Sequence, residues 1–227
     1  MEGTLQPPFA HPNREKALVS ELANGDSLTA TEFLRRYDGM PDQKKAELIH
    51  GTVYLMASPV SLDHAEPDSL LQTWIGYYAT QFPDVQSSTN VTLRLGPKEV
   101  PQPDGCLRRL PEAGGKSQVE STGSQRYLSG PPELVAEVSL SSASLDAHAK
   151  KESYLAAGIS EYLLWNLNEK EILWWRLVDD DYQHISLAAD GFLKSQIFPG
   201  LWLNPEAMLT LDGQSVIKGL QQGMNAS

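Results

Sequence analysis

Cysteine is almost missing from this chain of 227 residues, in which Cys106 stands alone. A single thiol closes no intrachain disulfide, so a disulfide-stapled secreted scaffold is excluded and a reducing cytoplasm fits best. Zinc-type ligand spacing is missing as well. The five histidines (His11, His50, His64, His148 and His184) are scattered without an HExxH or CxxC arrangement, so any metal is expected to be a hard ion bound by oxygen. Basic residues are scarce, with 18 Lys and Arg against 29 Asp and Glu and a formal net charge of -11. Proteins that coat nucleic acid by bulk attraction carry surplus Lys and Arg, and that class is excluded, although a local basic groove is not. Acidic chains can instead place a divalent cation between their carboxylates and a phosphate. No run reaches the roughly eighteen apolar residues of a membrane span. The polar start, Met1 to Pro12, lacks the basic-then-apolar order of an export signal, so no membrane association and no secretory leader are expected. GxSxG, GxxxxGK[ST] and GxGxxG are all lacking, which sets aside nucleophile-elbow hydrolases and the usual nucleotide-binding loops.

What is present is a globular composition, 41% hydrophobic and 21% charged, in a length suited to one large domain with a real core. Residues 1–27 read as a loosely ordered N-terminal extension with a possible short helix over Glu15 to Leu22, 28–215 as a single domain, and 216–227 as a C-terminal tail. Thr29 or Thr31 caps a short helix through Arg36. Ala46 to Ser58 alternates like a hairpin turning at His50 and Gly51. Helical spacing of Leu70, Leu71, Trp74, Ile75 and Tyr78 predicts an amphipathic helix from Pro67 to Phe82. Strands are expected over Val85–Leu95, Val100–Leu107 and Glu133–Ser139, with a polar surface loop over Arg108–Gln125. A helix capped by Ser142 or Ser144 follows and stops at Gly158. Further strands are expected over Tyr162–Asn166, Ile172–Val178, Tyr182–Leu187 and Phe192–Leu203. Helix and strand in alternation give an α/β (α+β) domain around a mixed sheet. Trp165, Trp174, Trp175 and Trp202 suit core or dimer-interface packing better than base stacking, and the adjacent pair Trp174 and Trp175 must place one ring on each face of its strand.

Three acids are candidates for chemistry, and one of them sits where solvent gives no obvious reason for it. Glu137 interrupts the apolar strand LVAEVS, and an unpaired buried carboxylate costs several kcal/mol or loses its charge. Its partner is either an internal Lys or Arg or a metal. Asp104 follows two prolines and precedes Gly105 in VPQPDG, so its carboxylate projects from a strand end, a setting in which Asp-Gly is ordinarily just a turn. Together the two acids can converge on one or two hard cations. Glu47 opens a hairpin strand and by itself reads as an exposed position. Lys150 and Lys151 by themselves read as a solvated helix face, although the helix follows the Glu137 strand directly.

Four motifs carry a more specific resemblance: KAELIHGTVYLMASPVSLDH, VPQPDG, RYLSGPPELVAEVSLSSASLDAHAKKESYLAAGISEYLLW and IFPGLWLNPEAML. In order and spacing they resemble the Uma-family endonucleases of the PD-(D/E)xK restriction-endonuclease-like superfamily, over nearly Ser27 to Leu211. The resemblance implies a restriction-endonuclease-like mixed central sheet flanked by helices, with additional C-terminal antiparallel strands. It implies Asp104 and Glu137 as metal ligands with Glu47 as an additional acid, and Mg2+ or Mn2+ as the cofactor. The lysine usual two residues after the second acid is replaced by Ser139, and the resemblance moves that role to Lys150, with Lys151 the alternative. Lys150 lies four residues after Asp146 and four before Tyr154 on one helix face. Ser139 is then a supporting hydrogen-bonding group or simply a strand residue on the Glu137 face. His64 also matches the family pattern, although a surface or capping histidine is the commoner case. The activity implied is metal-assisted hydrolysis of DNA phosphodiesters, in an enzyme that acts as a monomer or homodimer. The alternative is a catalytically weak or inactive module of the same fold, acting in binding or regulation.

Overall fold

The computed structural model describes residues 20–40, 45–56, 61–122, 125–140 and 145–226, with side chains omitted at 122 and 145–147. A six-stranded mixed sheet forms the centre, in the order β11 (Asp181–His184), β10 (Glu171–Val178), β9 (Glu161–Asn166), β8 (Leu134–Ser139), β5 (Gly105–Arg109) and β3 (Val85–Thr89). Within this sheet only β8 and β9 run parallel. Parallel neighbours need a crossover, and here it contains a π-helical turn at Leu145–Lys150 and then helix α3 (Lys151–Ala156).

Both central strands are buried along their whole length, and strict alternation sorts their side chains between two cores. Leu134, Ala136, Val138, Leu163 and Trp165 pack on one face against α2 (Leu62–Gln81), α4 (Pro205–Leu209) and α5 (Gly213–Asn225). Val135, Tyr162 and Leu164 pack on the other, against Tyr154 of α3 and Leu93 of the short strand β4 (Leu93–Arg94). Trp174 and Trp175 divide between the faces as alternation requires. Trp174 meets Trp74 edge-on at 5.7 Å, and Trp175 stacks on Tyr162 at 5.4 Å.

A third, smaller core joins α1 (Ala30–Tyr37) to the hairpin β1 (Ala46–Ile49) and β2 (Thr52–Leu55). Thr29 caps α1 by accepting from the Glu32 N–H, which decides between the two candidate caps. The hairpin turns at His50 and Gly51, both with positive φ (51° and 79°), the geometry that suits the right-handed twist of paired strands.

Several expectations need correction. Helix α2 starts at Leu62, with Pro67 inside it and buried. A proline there removes only one intrahelical bond, and the wider helix carries His64. Pro101 and Pro103 lack the N–H groups a strand needs, so β5 begins only at Gly105. The segment read as a polar loop contains a hairpin, β6 (Gln118–Thr122) with β7 (Gln125–Ser129), that pairs with β4. Buried Tyr127 and Leu128 hold it in place. Phe192–Leu203 is a two-stranded ribbon, β12 (Leu193–Lys194) and β13 (Trp202–Leu203), and not one strand. The expected tail from residue 216 lies within α5, whose Val216 and Leu220 are fully buried. Close packing fixes that helix, since a Cβ at Gly223 would stand 2.5 Å from the Gly200 carbonyl. Leu22, within the expected extension, is buried, and Ser27 bridges to Thr52. Residues 15–19 of the possible helix, and Ser142 and Ser144, lie outside the described residues. Among the described residues no helix is long and apolar enough to cross a membrane.

Glu161, the first residue of β9, is fully buried and accepts from the Ser195 hydroxyl (2.8 Å) and the Gln196 N–H (2.7 Å). Burial pushes its carboxyl up to about 7 from 4.5, against the pull of those two donors. A carboxyl raised in the folded state binds its proton more tightly there than in the unfolded chain. Its stabilising contribution is therefore complete below pH 4.5 and is lost as pH rises through about 7. Thermal melts of Glu161→Gln across that window are expected to show a flatter pH dependence than wild type. Identical slopes would refute this role for Glu161.

Candidate active site

The site begins with the alternation of β8. Val135 and Glu137 share the face covered by α3, so the carboxylate is directed under the crossover helix and is only 3% exposed. Lys150 and Tyr154, one helical turn apart, meet it there. The Lys150 ammonium lies 3.1 Å from Glu137 Oε1, and the Tyr154 hydroxyl donates to the same oxygen at 2.6 Å. Lys150 also lies 3.0 Å from Glu47 Oε1. It is 2% exposed and Glu47 is fully buried, so the solvated helix face and the exposed strand position are both set aside. Lys151 turns elsewhere, with its ammonium over the Trp175 ring at 4.1 Å. The internal lysine and the functional lysine of the sequence reading are therefore one residue.

Glu47 reaches the cluster because its hairpin is held from two sides. Leu48 exchanges backbone hydrogen bonds with Val100, and the Gln102 N–H donates to Glu47 Oε1 at 2.6 Å. Glu99 ties the hairpin turn to α3, accepting from the His50 N–H at 3.0 Å and from the Ser153 hydroxyl at 2.5 Å. Glu47 Oε2 is buried with no hydrogen-bond partner.

Asp104 is placed by the end of a strand pairing. β5 pairs with β8 only from Gly105 to Leu107, opposite Leu134 to Ala136. Beyond that, Val138 presents an N–H and a C=O with no strand beside them, and side chains substitute. Asp104 Oδ2 accepts the Val138 N–H at 2.8 Å, and His64 Nε2 donates to the Val138 carbonyl at 2.8 Å. A carbonyl only accepts, so Nε2 carries the proton, while His64 Nδ1 is buried without a partner. The family-like histidine is thus part of the site and not a surface or capping residue. His64 Nε2 is 3.9 Å from Asp104 Oδ2. The Asp104 backbone is fixed too, its carbonyl accepting from the Gln72 amide (2.8 Å) and the Asn90 N–H (3.0 Å).

Burial pushes the Asp104 carboxyl up to about 6, against the Val138 hydrogen bond and the field of Lys150. Burial and the Glu137 and Glu47 carboxylates raise Tyr154 well above the ordinary tyrosine value, so its hydroxyl stays protonated and acts as a donor. Ser139 is buried on the Glu137 face, as alternation requires. The side chain of Asp146 lies outside the described residues.

Among the described residues, no group of three or more His, Cys, Asp or Glu side chains stands ready to hold a metal. Glu47 and Glu137 are joined through the lysine, and Asp104 is anchored one residue further along β8. The chemistry of the donors nevertheless fits a hard divalent cation: the ligating groups are oxygen, Glu47 Oε2 lacks a partner, and burial opposes ionisation of Asp104. Sequence reasoning missed Gln102, Gln72, Glu99 and Ser153, which act through backbone donors or long-range contacts that leave no local pattern.

A family model described as "Uma2: Putative restriction endonuclease" matches residues 30–206. The chain belongs to the Uma2 family. A solved structure, described as "a putative nuclease belonging to DUF820 from Anabaena variabilis ATCC 29413", is similar to this Uma2 chain. Its TM-score is 0.62 at 16% identity, covering 81% of this chain and 98% of that one. At that identity the likeness establishes the fold, a mixed sheet flanked by helices with additional antiparallel strands. No curated protein matches the chain.

Removing the ammonium leaves two buried carboxylates facing each other. Lys150→Met is therefore expected to destabilise this Uma2 protein at pH 7 by about 3–5 kcal/mol in urea titrations. A loss below about 1 kcal/mol would show that the bridge does not form.

Proposed function

We propose that the protein is a metal-dependent endonuclease that hydrolyses DNA phosphodiester bonds, with Glu47, Asp104, Glu137 and Lys150 as its working residues. The observation that supports this reading most strongly is the buried lysine shared by Glu47 and Glu137, beside an Asp104 raised to about 6. Ion pairs placed only for stability are often replaceable by apolar residues, whereas a perturbed acid beside a buried, paired amine is typical of sites that do chemistry.

Asp104, Glu137 and Glu47 are the groups to hold Mg2+ or Mn2+, which when bound supplies charge neutralisation at the phosphate and acidifies water. The protein's own contribution is positional. Tyr154 and Lys150 both bind Glu137 Oε1, which orients that carboxylate. The Lys150 ammonium, already desolvated, provides fixed positive charge for the phosphoryl oxygens as negative charge develops on them. Its position in the π-helical turn that leads into α3, and not on β8, is consistent with Ser139 occupying the usual lysine position. The Lys150 ammonium still reaches the same acid, from the side.

A second reading, an inactive module used for binding or regulation, is favoured by the saturation of Glu137 Oε1 by two donors and by the lack of a ready ion cage among the described residues. Nicking of supercoiled plasmid with Mg2+ or Mn2+ separates the two. Hydrolysis that stops with chelator and falls at least about a hundredfold in Glu137→Gln is expected, with a smaller loss, about tenfold, in Tyr154→Phe. Cleavage that persists at the wild-type rate in Glu137→Gln would reject the assignment, and no cleavage by wild type on any DNA form would favour the module.

A further inference from the structure

A cavity of about 400 Å3 opens beside the acids, walled by Tyr37, Lys45, Asn90, Gln102, Gln125 and Arg126. It shares structure with the candidate site at three points. The Gln102 N–H holds Glu47 Oε1, while its side-chain amide donates to the Tyr37 hydroxyl and to Thr92 Oγ1, each at 2.8 Å. The Asn90 N–H holds the Asp104 carbonyl. Lys45 lies two residues before Glu47 along the same strand direction, and its ammonium donates to Asn90 Oδ1 at 2.6 Å. Two residues of the cavity wall, Gln102 and Asn90, therefore bond directly to Glu47 and to the Asp104 backbone.

The groove brings two basic side chains together, whereas several others on the surface are paired with acids. Arg35 and Arg36 are tied to Glu32, Arg94 to Glu120 and Lys194 to Asp190. Neither Lys45 nor Arg126 takes part in an ion pair among the described residues, and both side chains are exposed. Among the described residues the only acid in the lining is Asp38, which accepts from the Tyr127 hydroxyl. In a chain of net charge -11, two uncommitted cations on one polar groove next to buried acids form a local anion site. The remaining lining offers amides at Asn90 and Gln125 and a partly apolar wall at Tyr37 and Met40, the mixture that reads base edges and packs a base. The volume falls in the range that encloses one small-molecule-sized group and is far too small for a duplex.

We infer that this groove holds one unpaired nucleotide of the DNA strand to be cut, with its phosphates on Lys45 and Arg126. The inference rests on the nuclease reading and adds the form of the substrate: the strand is engaged single, at a flap, gap or melted site. The acidic body repels extended duplex, so affinity comes from this local contact.

The test is equilibrium binding, which needs no turnover. Fluorescein-labelled dT12, alone or annealed to dA12, is titrated with the full chain in EDTA and followed by anisotropy at several salt concentrations. Wild type should bind the single strand at least about tenfold more tightly than the duplex. Lys45→Ala with Arg126→Ala should weaken single-strand binding about tenfold or more and lower the slope of log K against log salt by about 1.4, the value for two phosphates of a single strand. Lys45→Arg with Arg126→Lys should restore most of the binding, which a folding defect would not. Unchanged affinity and slope in the double alanine variant, or equal binding of strand and duplex, overturns the inference. Cleavage by wild type alongside unchanged binding in that variant would sink the groove and spare the nuclease reading. Groove-dependent binding without any cleavage would do the reverse.

Discussion

One ammonium group, buried between two carboxylates from different parts of the chain, is the constraint around which the site is organised. Lys150 carries a full charge at 2% exposure, and such a charge is tolerable only when its partners are held at contact distance. That requirement ties three elements together. β8 must direct Glu137 toward the crossover, α3 must sit directly over β8, and the β1–β2 hairpin must dock so that Glu47 closes the bridge. The Gln102 N–H and the Glu99 brace between the hairpin turn and Ser153 maintain that docking. The hydrophobic cores on either side of the sheet supply the bulk of the stability, but they do not by themselves determine where the hairpin lies relative to α3. The charged cluster adds to the Leu48–Val100 backbone bonds and the Glu99 brace in setting that position.

The same geometry explains why the site is strained electrostatically. Three carboxylates, Glu47, Asp104 and Glu137, stand near one ammonium in a region shielded from water, and burial has already pushed Asp104 up to about 6. Folded chains keep such arrangements where function outweighs the stability lost. A hard cation relieves this tension, which is the physical content of the nuclease proposal. The position of Asp104 also follows from a local rule: where β5 stops pairing, the exposed N–H and C=O of Val138 recruit Asp104 and His64, so an acid and an imidazole are delivered to one end of the central strand.

Much of this could be read from the sequence, and the parts that could not share a physical cause. The hairpin at His50 and Gly51, the strand bearing Glu137, the division of Trp174 and Trp175 between faces, and the one-turn spacing of Lys150 and Tyr154 are all local periodicities or turn chemistries, and each is found in the structure. Glu47 looked exposed because strand alternation says nothing about what covers an outer hairpin; its burial depends on a loop some fifty residues downstream, through Gln102. The β6–β7 hairpin was hidden in a polar stretch because its pairing with β4 is long-range and only Tyr127 and Leu128 anchor it. Helix α5 was read as a tail because its apolar residues are few and its docking relies on glycines at close contact, a feature with no apolar signature. The proposed role of Glu47 as a metal ligand comes only from resemblance, since no spacing rule links elements so far apart in sequence.

The most direct test of the metal-site proposal is a crystal structure grown with Mn2+ and measured at the manganese absorption edge. An anomalous peak bounded by carboxylate oxygens of Asp104 and Glu137, with Glu47 Oε2 turned toward it and Lys150 still buried against Glu137, is the expected result. A peak elsewhere, or none while both glutamates remain closed on Lys150, would leave the cluster a structural ion pair and remove the basis for metal-assisted hydrolysis.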